Sequence, residues 1–134
     1  PAIAATIIGI IIGSYLPLNR PEPVIVAVLV DANGVAQAIV EDYGNSEAQI
    51  RFVSDVEVPT GKTMQLWTLP STETGPVSLG VLPGVQPAVV DGPSLPAPKQ
   101  QQLYEVTFEP LGGSPTGKPT GPILGKGLGV LQGS

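Results

Sequence analysis

Turn-forming residues recur about every ten positions along residues 24–124, and they cut the aliphatic residues there into runs too short for ordinary helices. These runs are rich in valine and isoleucine, and several alternate apolar with polar residues, as half-buried strands do. The 17 glycines and 16 prolines reach a level that can accompany disorder, but the 42% of hydrophobic residues suffices to build a core. We therefore predict an all-β, sandwich-like antiparallel domain of about seven to eight strands.

The predicted strands are separated by turns of known chemistry. Asn33-Gly34 supplies the positive φ angles of a tight hairpin between residues 24–30 and 35–40. The first of these runs, VIVAVLV, is apolar at every position, so we expect a central strand that is covered on both faces. The other predicted strands are residues 48–54, 63–69, 77–82, 86–90 and 103–110, with a proline-rich loop at 91–102.

One predicted strand carries the single tryptophan of the chain. Met64 and Leu66 alternate toward the core, which places Trp67 on the opposite face. A lone tryptophan in a β-domain is more often a core anchor than a platform on which a sugar stacks. We favour the anchor, and the platform is the alternative.

The strand predicted at residues 103–110 places Glu105 and Glu109 on one face. Four residues at about 3.3 Å each separate the two carboxylates by about 13 Å, more than the roughly 6.5–9.5 Å of an inverting glycosidase pair. We therefore interpret them as solvated carboxylates on the outer face. The chain has neither cysteine nor histidine, so the common zinc ligand sets and a Ser-His-Asp triad are excluded. We predict no catalytic, metal or cofactor site, and no enzyme.

The segment that follows Pro110 is too rich in glycine and proline for a regular element. Residues 112–118 match the skeleton of a phosphate-binding loop, but Pro119 stands where that loop needs serine or threonine, and no helix pattern follows. The net charge of −5 likewise argues against nucleic acid as a partner. We predict instead an extended strap along the domain, with Ile123 and Leu124 buried in a last short strand.

The first eighteen residues, PAIAATIIGIIIGSYLPL, carry no charge. Their length is near the lower limit for a membrane-spanning helix, and Tyr15 and Arg20 suit the interface at its end. A packed apolar segment is an alternative, and a signal peptide is weaker because no basic flank is present. The chain begins inside this run, so we expect further sequence upstream. We assign residues 1–18 to the end of a transmembrane segment, 19–23 to a stiff linker, 24–124 to the β-domain and 125–134 to a flexible tail.

Two stretches together resemble a known family. YEVTFEPLGGSPTGKPTGPIL, residues 104–124, resembles the terminal signature of the C-terminal domain of anti-sigma-K factor (RskA-type) proteins, and MQLWTLPSTETGPVSLGVLPG, residues 64–84, resembles its middle signature. Lys118 and Phe108 depart from the pattern. The residues that match the signatures are Gln65, Trp67, Ser78, Leu79, Gly80, Glu109, Pro110, Gly112, Gly113, Ser114, Pro115, Thr116, Pro119, Thr120, Gly121 and Pro122.

The resemblance implies a bacterial regulator of transcription that crosses the plasma membrane once. In that family a cytoplasmic N-terminal domain binds an extracytoplasmic-function sigma factor, a β-rich domain lies outside the membrane, on the periplasmic side, and proteases can release the sigma factor. The present chain would then be the end of the helix and the outer domain, with the sigma-binding domain upstream. The alternative is a membrane-anchored cell-surface module that binds a ligand such as a glycan through Trp67 or a pocket.

Overall fold

The computed structural model describes residues 22–133, and the regular elements in that range are all β-strands. They are β1 (Ile25–Val30), β2 (Ala36–Asp42), β3 (Glu47–Phe52), β4 (Lys62–Leu69), β5 (Val77–Leu82), β6 (Ala88–Asp91), β7 (Leu103–Pro110), β8 (Ile123–Leu128) and β9 (Val130–Leu131). Neighbouring strands pair antiparallel, so the predicted all-β antiparallel class is confirmed. The predicted transmembrane segment at residues 1–18 lies outside the described range, within which no helix is long and apolar enough to cross a membrane.

The strands form one sheet in the order β5-β4-β7-β8-β1-β2-β3-β6, and β9 is added beside β1. The two ends of this series lie against each other, because a Cβ atom placed on Gly80 of β5 would come within 3.1 Å of the Val90 side chain on β6. The sheet is therefore nearly closed into a barrel. We expected the two packed sheets of a sandwich. In the structure one curled sheet packs against itself around the core instead.

The interior of this barrel is aliphatic. It is filled by the inward-facing residues of the strands, which alternate with outward-facing ones along each strand. Fully burying a valine, leucine, isoleucine or methionine side chain contributes about 1.5–3 kcal/mol, so this cluster is the main source of stability. Its members are Ile25, Ala27, Leu29, Ala38, Val40, Ala48, Ile50, Met64, Leu66, Leu79, Leu82, Val90, Tyr104 and Val106.

The outer face of β1 is open, and the prediction that both of its faces are covered is wrong. Ile25 and Leu29 are buried, but Val28 between them is 47% exposed. The strand is central in the sheet, since β2 and β8 flank it. In a nearly closed barrel, however, one face of every strand points outward. The continuous apolar run therefore marks an apolar outer surface and not a second covering layer.

The turns follow the predicted chemistry. In the β1–β2 hairpin the amide of Asp31 donates to the carbonyl oxygen of Val35 at 2.9 Å, and Gly34 has a φ of 80°. In the turn before β4 the amide of Lys62 donates to the carbonyl oxygen of Pro59 at 3.0 Å. The first of these bonds confirms the predicted hairpin turn at Asn33-Gly34.

The sheet continues into the residues predicted to form a flexible tail. Strand β8 runs to Leu128, β9 pairs with β1, and the amide of Gln132 donates to the carbonyl oxygen of Val24 at 2.8 Å. A Cβ atom on Gly127 would lie 2.0 Å from the carbonyl oxygen of Val28, so glycine is what lets β8 approach β1 this closely. The domain therefore extends beyond its predicted end.

Candidate functional site

Residues 111–122 connect β7 to β8 and lie across the outer face of β4, β5 and β7, where they form the strap. The segment has no regular secondary structure, as predicted, and side chains on the strands beneath it hold it at several points. Strand β8 follows directly, but Ile123 is 50% exposed and only Leu124 packs against the core. The prediction that both residues are buried is therefore wrong for Ile123, which faces outward in register with Thr107.

Glu109, near the end of β7, is the main anchor of the strap. Its carboxylate accepts hydrogen bonds from the amides of Thr120 at 3.0 Å and Gly121 at 3.2 Å, and from the Thr120 hydroxyl at 2.5 Å. It also accepts a hydrogen bond from the Thr107 hydroxyl at 2.5 Å. Glu109 is fully buried on the outer face of the sheet. The interpretation of this residue as a solvated carboxylate is wrong, because the strap covers it.

The strap also needs glycine where it meets the strand. A Cβ atom on Gly121 would lie 1.5 Å from the carbonyl oxygen of Phe108, so the backbone of the strap is packed directly on the backbone of β7. This close approach is what brings the Gly121 amide within reach of Glu109. The P-T-G-P piece of the signature therefore has a steric explanation.

The two outward glutamates of β7 have opposite electrostatic environments. Burial by itself raises the pKa of Glu109, but the hydrogen bonds from Thr107, Thr120 and Gly121 outweigh it, and the pKa is lowered from its usual value. Glu109 is therefore ionised at neutral pH and acts only as an acceptor. Glu105 is half-buried, and its pKa is raised, mainly because burial disfavours the charged form. The positive charge of Lys126 lowers the pKa in part, and the negative charge of Glu109 raises it.

Trp67 joins the same network from β4. Its indole N–H donates to the Thr107 hydroxyl at 2.9 Å, and that hydroxyl in turn donates to Glu109. The ring is fully buried but lies outside the aliphatic cluster of the barrel interior. The burial expected of a core anchor is confirmed, but Trp67 anchors the outer layer and not the barrel interior. With no exposed ring face, Trp67 in this conformation cannot serve as a platform for a sugar.

Gln65, two residues before Trp67, links two strands to the start of the strap. Its side-chain Nε2 donates to the Ser78 hydroxyl on β5 at 2.7 Å, and its Oε1 accepts from the Ser114 amide at 2.8 Å. The side-chain amide of Gln65 thus bonds to an acceptor on β5 and to a donor on the strap. The Q-x-W and P-V-S-L-G pieces of the middle signature meet the terminal signature at this point.

Lys118 fastens the strap to the loop between β4 and β5. Its ammonium group donates to the carbonyl oxygens of Thr74 at 3.1 Å and Pro76 at 3.2 Å. The hydroxyl of Ser114 donates to the Lys118 carbonyl oxygen, which tightens the strap on itself. The lysine that would contact phosphate in a phosphate-binding loop is thus engaged with backbone groups of its own chain.

The structure brings the chemically distinctive signature residues together and leaves a few aside. Leu79 belongs to the barrel interior, and Gly80 faces β6. Neither contributes to the strap network. The other signature residues lie at the end of β7 or form the backbone turns of the strap, at exposed or half-exposed positions, and are Pro110, Gly112, Gly113, Pro115, Thr116, Pro119 and Pro122.

Sequence reasoning missed Thr107, which connects Trp67 to Glu109. It is fully buried, although it lies between Glu105 and Glu109 on the outward side of β7, where a threonine is ordinarily solvent-exposed. It also missed a second buried pair, in which the Tyr104 hydroxyl donates to Asp42 on β2. Burial and this contact with Asp42 raise the pKa of Tyr104 far above its usual value. Nothing in the spacing of these residues identifies their partners.

The hydrogen bonds of the strap network serve to hold the strap on the sheet. Within residues 22–133, every buried side-chain nitrogen and oxygen has a hydrogen-bond partner, so the network presents no unpaired group to a ligand. The same residues contain no group of three or more histidine, cysteine, aspartate or glutamate side chains placed to hold a metal ion. The arrangement is suited to fixing one conformation of the outer layer.

Comparison with known proteins identifies one family. The family model described as "Anti-sigma-K factor rskA, C-terminal" matches residues 1–123. The match covers the uncharged N-terminal segment, the middle signature, the strap and all but the last residue of the terminal signature. No curated protein and no solved structure matches the chain.

Proposed function

Because the chain belongs to the anti-sigma-K factor family, a family of regulators, we propose that it is the extracytoplasmic part of a membrane-bound anti-sigma factor. The observation that carries the proposal is the family match over residues 1–123, which joins the uncharged segment to the β-domain in one unit. In this proposal residues 1–18 end a single transmembrane helix in the bacterial plasma membrane. Residues 19–23 then lead to the β-domain on the periplasmic side.

The regulated partner is an extracytoplasmic-function sigma factor. It binds a cytoplasmic domain that precedes the present chain, and the complex keeps it from RNA polymerase. Proteolysis of the anti-sigma factor releases it. The acidic net charge of −5 supports the absence of direct contact between this domain and nucleic acid.

The outer domain acts in this scheme through its shape and not through catalysis. Its most distinctive polar residues bond to one another, as the carboxylate of Glu109 does with Thr120 and Gly121. A domain of this kind can present a fixed surface outside the membrane while the regulatory contact lies inside.

The test uses the full-length protein and the sigma factor encoded beside its gene. We expect the two to copurify from detergent extracts, and we expect transcription from the sigma-dependent promoter to rise when the gene for the anti-sigma factor is deleted. Removing residues 22–134 as a control should leave the complex intact, because the sigma-binding domain lies upstream. Absence of a complex together with unchanged transcription would contradict the proposal.

The orientation is tested separately. Protease added to intact spheroplasts should digest the β-domain and spare a cytoplasmic tag placed at the N-terminus of the full-length protein. Protection of both parts, or a cleavable signal peptide in place of an upstream domain, would contradict the proposed topology.

A further inference from the structure

The outer surface of β8, β1 and β2 is largely apolar, and the strap does not cover it. Val28 is 47% exposed at its centre, and Leu128 and Val130 are 54% and 55% exposed beside it. Large contiguous apolar patches are rare on monomeric proteins and commonly mark interaction surfaces. We call this surface the open face, and its outward apolar side chains are Val26, Val28, Val30, Ile39, Ile123, Leu128 and Val130.

The charges on the open face are arranged diagonally about Val28. On β8, Lys126 pairs with Val30, and on β2, Glu41 pairs with Val26. Val28 lies midway between these two partners on β1. Lys126 and Glu41 therefore lie on opposite sides of it, each one strand and two residues away, or about 8 Å by strand geometry. One charge is basic and the other acidic, at equivalent distances from the same apolar centre.

We propose that the open face binds a second copy of itself, with a two-fold axis that lies in the plane of the interface, passes through Val28 and is perpendicular to the line from Lys126 to Glu41. Such an axis brings Lys126 of each copy opposite Glu41 of the other, so that two ion pairs flank a central contact between the two Val28 side chains. The sheets then cross at near right angles, which is one of the two ways in which sheets pack face to face.

The same rotation also matches the apolar residues of the open face. Ile39 of one copy comes to lie near Val30 of the other, and Val26 near Leu128, so apolar side chains are buried against apolar side chains. Within its own chain Lys126 is the register partner of Glu105 on the neighbouring strand β7, but it remains exposed and can reach a second carboxylate. The self-complementary charges favour a second copy over an anionic lipid surface, which the net charge of −5 would repel.

A cross-linking experiment tests the position of the axis. The 134-residue chain contains no cysteine, so Val28→Cys introduces a single thiol. With a short bis-maleimide we expect this variant, in detergent solution, to form a covalent dimer, because the two thiols meet at the axis. Val89→Cys is the matched control, since Val89 is 57% exposed on β6, outside the open face. We expect it to form no covalent dimer and to run as a monomer on a denaturing gel, because its thiols lie outside the proposed interface.

Three outcomes would overturn the proposal. Equal cross-linking of Val89→Cys would indicate pairing through the β6 edge or non-specific association. A monomeric Val28→Cys protein whose thiol reacts freely with a soluble maleimide would show that no copy covers the face. A monomeric protein with an unreactive thiol would show that residues 1–21 of the same chain cover it.

Charge reversal tests the pairing of Lys126 with Glu41. Lys126→Glu and Glu41→Lys should each raise the dissociation constant of the dimer, measured by sedimentation equilibrium, about tenfold. Each substitution replaces two attractions by two repulsions. The double variant restores opposite charges and should return to within about twofold of the original protein. Failure of the double variant to recover would contradict the proposed axis. This result is independent of sigma-factor binding, which resides upstream.

Discussion

The strap-covered face and the open face are built from the same kind of alternating strand, yet the outward residues are buried on the first face and exposed on the second. On β4 and β7 these residues are Gln65, Trp67 and Glu109, all buried and hydrogen-bonded. On β1 and β8 they are valines and leucines such as Val28 and Leu128, about half exposed. The difference shows what a chain needs in order to cover its own outer surface. Directional hydrogen bonds fix one position of a covering segment, whereas apolar contact alone does not.

The largest test of this comparison removes a side chain from each face. Trp67→Ala should lower the free energy of unfolding by about 4 kcal/mol, because it empties a buried site and leaves the Thr107 hydroxyl with one partner fewer. Val28→Ala, on the open face, should cost about 0.5 kcal/mol. Urea denaturation followed by circular dichroism measures both. Similar losses in the two variants would remove the distinction between the faces.

The next test removes the anchor of the strap. Glu109→Ala leaves the amides of Thr120 and Gly121 without their acceptor in a buried position, and should cost about 3 kcal/mol. Glu57→Ala, in an exposed loop, is the control and should stay within about 0.5 kcal/mol. Denaturation monitored by the fluorescence of Trp67 reports both. An anchor variant as stable as the control would mean that the strap is held by other contacts.

A smaller effect distinguishes the two glutamates of β7 by pH. The pKa of Glu109 is lowered in the folded protein, so its contribution is present above the unfolded-state value, about 4.3, and is lost as the pH falls through the folded value. The pKa of Glu105 is raised, so its charge destabilises the fold at neutral pH and this penalty is relieved as the pH falls through the raised value.

Two variants separate these signs. Glu109→Gln should be less stable than the original protein at neutral pH, and the gap should narrow on acidification. Glu105→Gln should be slightly more stable at neutral pH, with an advantage that also narrows as the pH falls. Unfolding free energies measured across the acidic range provide the comparison. A Glu109→Gln gap that does not change with pH would contradict the lowered pKa.

The strands were predictable because their signals are local. The Asn33-Gly34 turn and the alternation around Met64 and Leu66 depend only on nearby residues, and the structure confirms both. The burial of Glu109 was not predictable in this way. Period-two alternation assigns it correctly to the outer face, but the strap that covers that face has no periodicity of its own. Only the family signature grouped these residues, and it did so without indicating their contacts.

The end of the sheet shows a signal that was present but misinterpreted. Gly125, Gly127 and Gly129 alternate with larger residues, which is the period of a strand. We predicted a flexible tail at residues 125–134 and did not recognise this alternation, in a composition that is usually depleted in strands. In the structure these glycines lie where a Cβ atom would meet β1 or its neighbours, so the alternation reflects close packing.

Amide hydrogen exchange measures most directly whether Glu109 holds the strap over the outer face. The amides of Thr120 and Gly121 donate to its carboxylate and lie in a segment with no sheet pairing of its own. We expect both amides to exchange slowly in the original protein and at least about tenfold faster in Glu109→Gln, while the amides of β1 remain unchanged. Fast exchange at both positions in the original protein, or rates unaffected by the substitution, would contradict this role of Glu109.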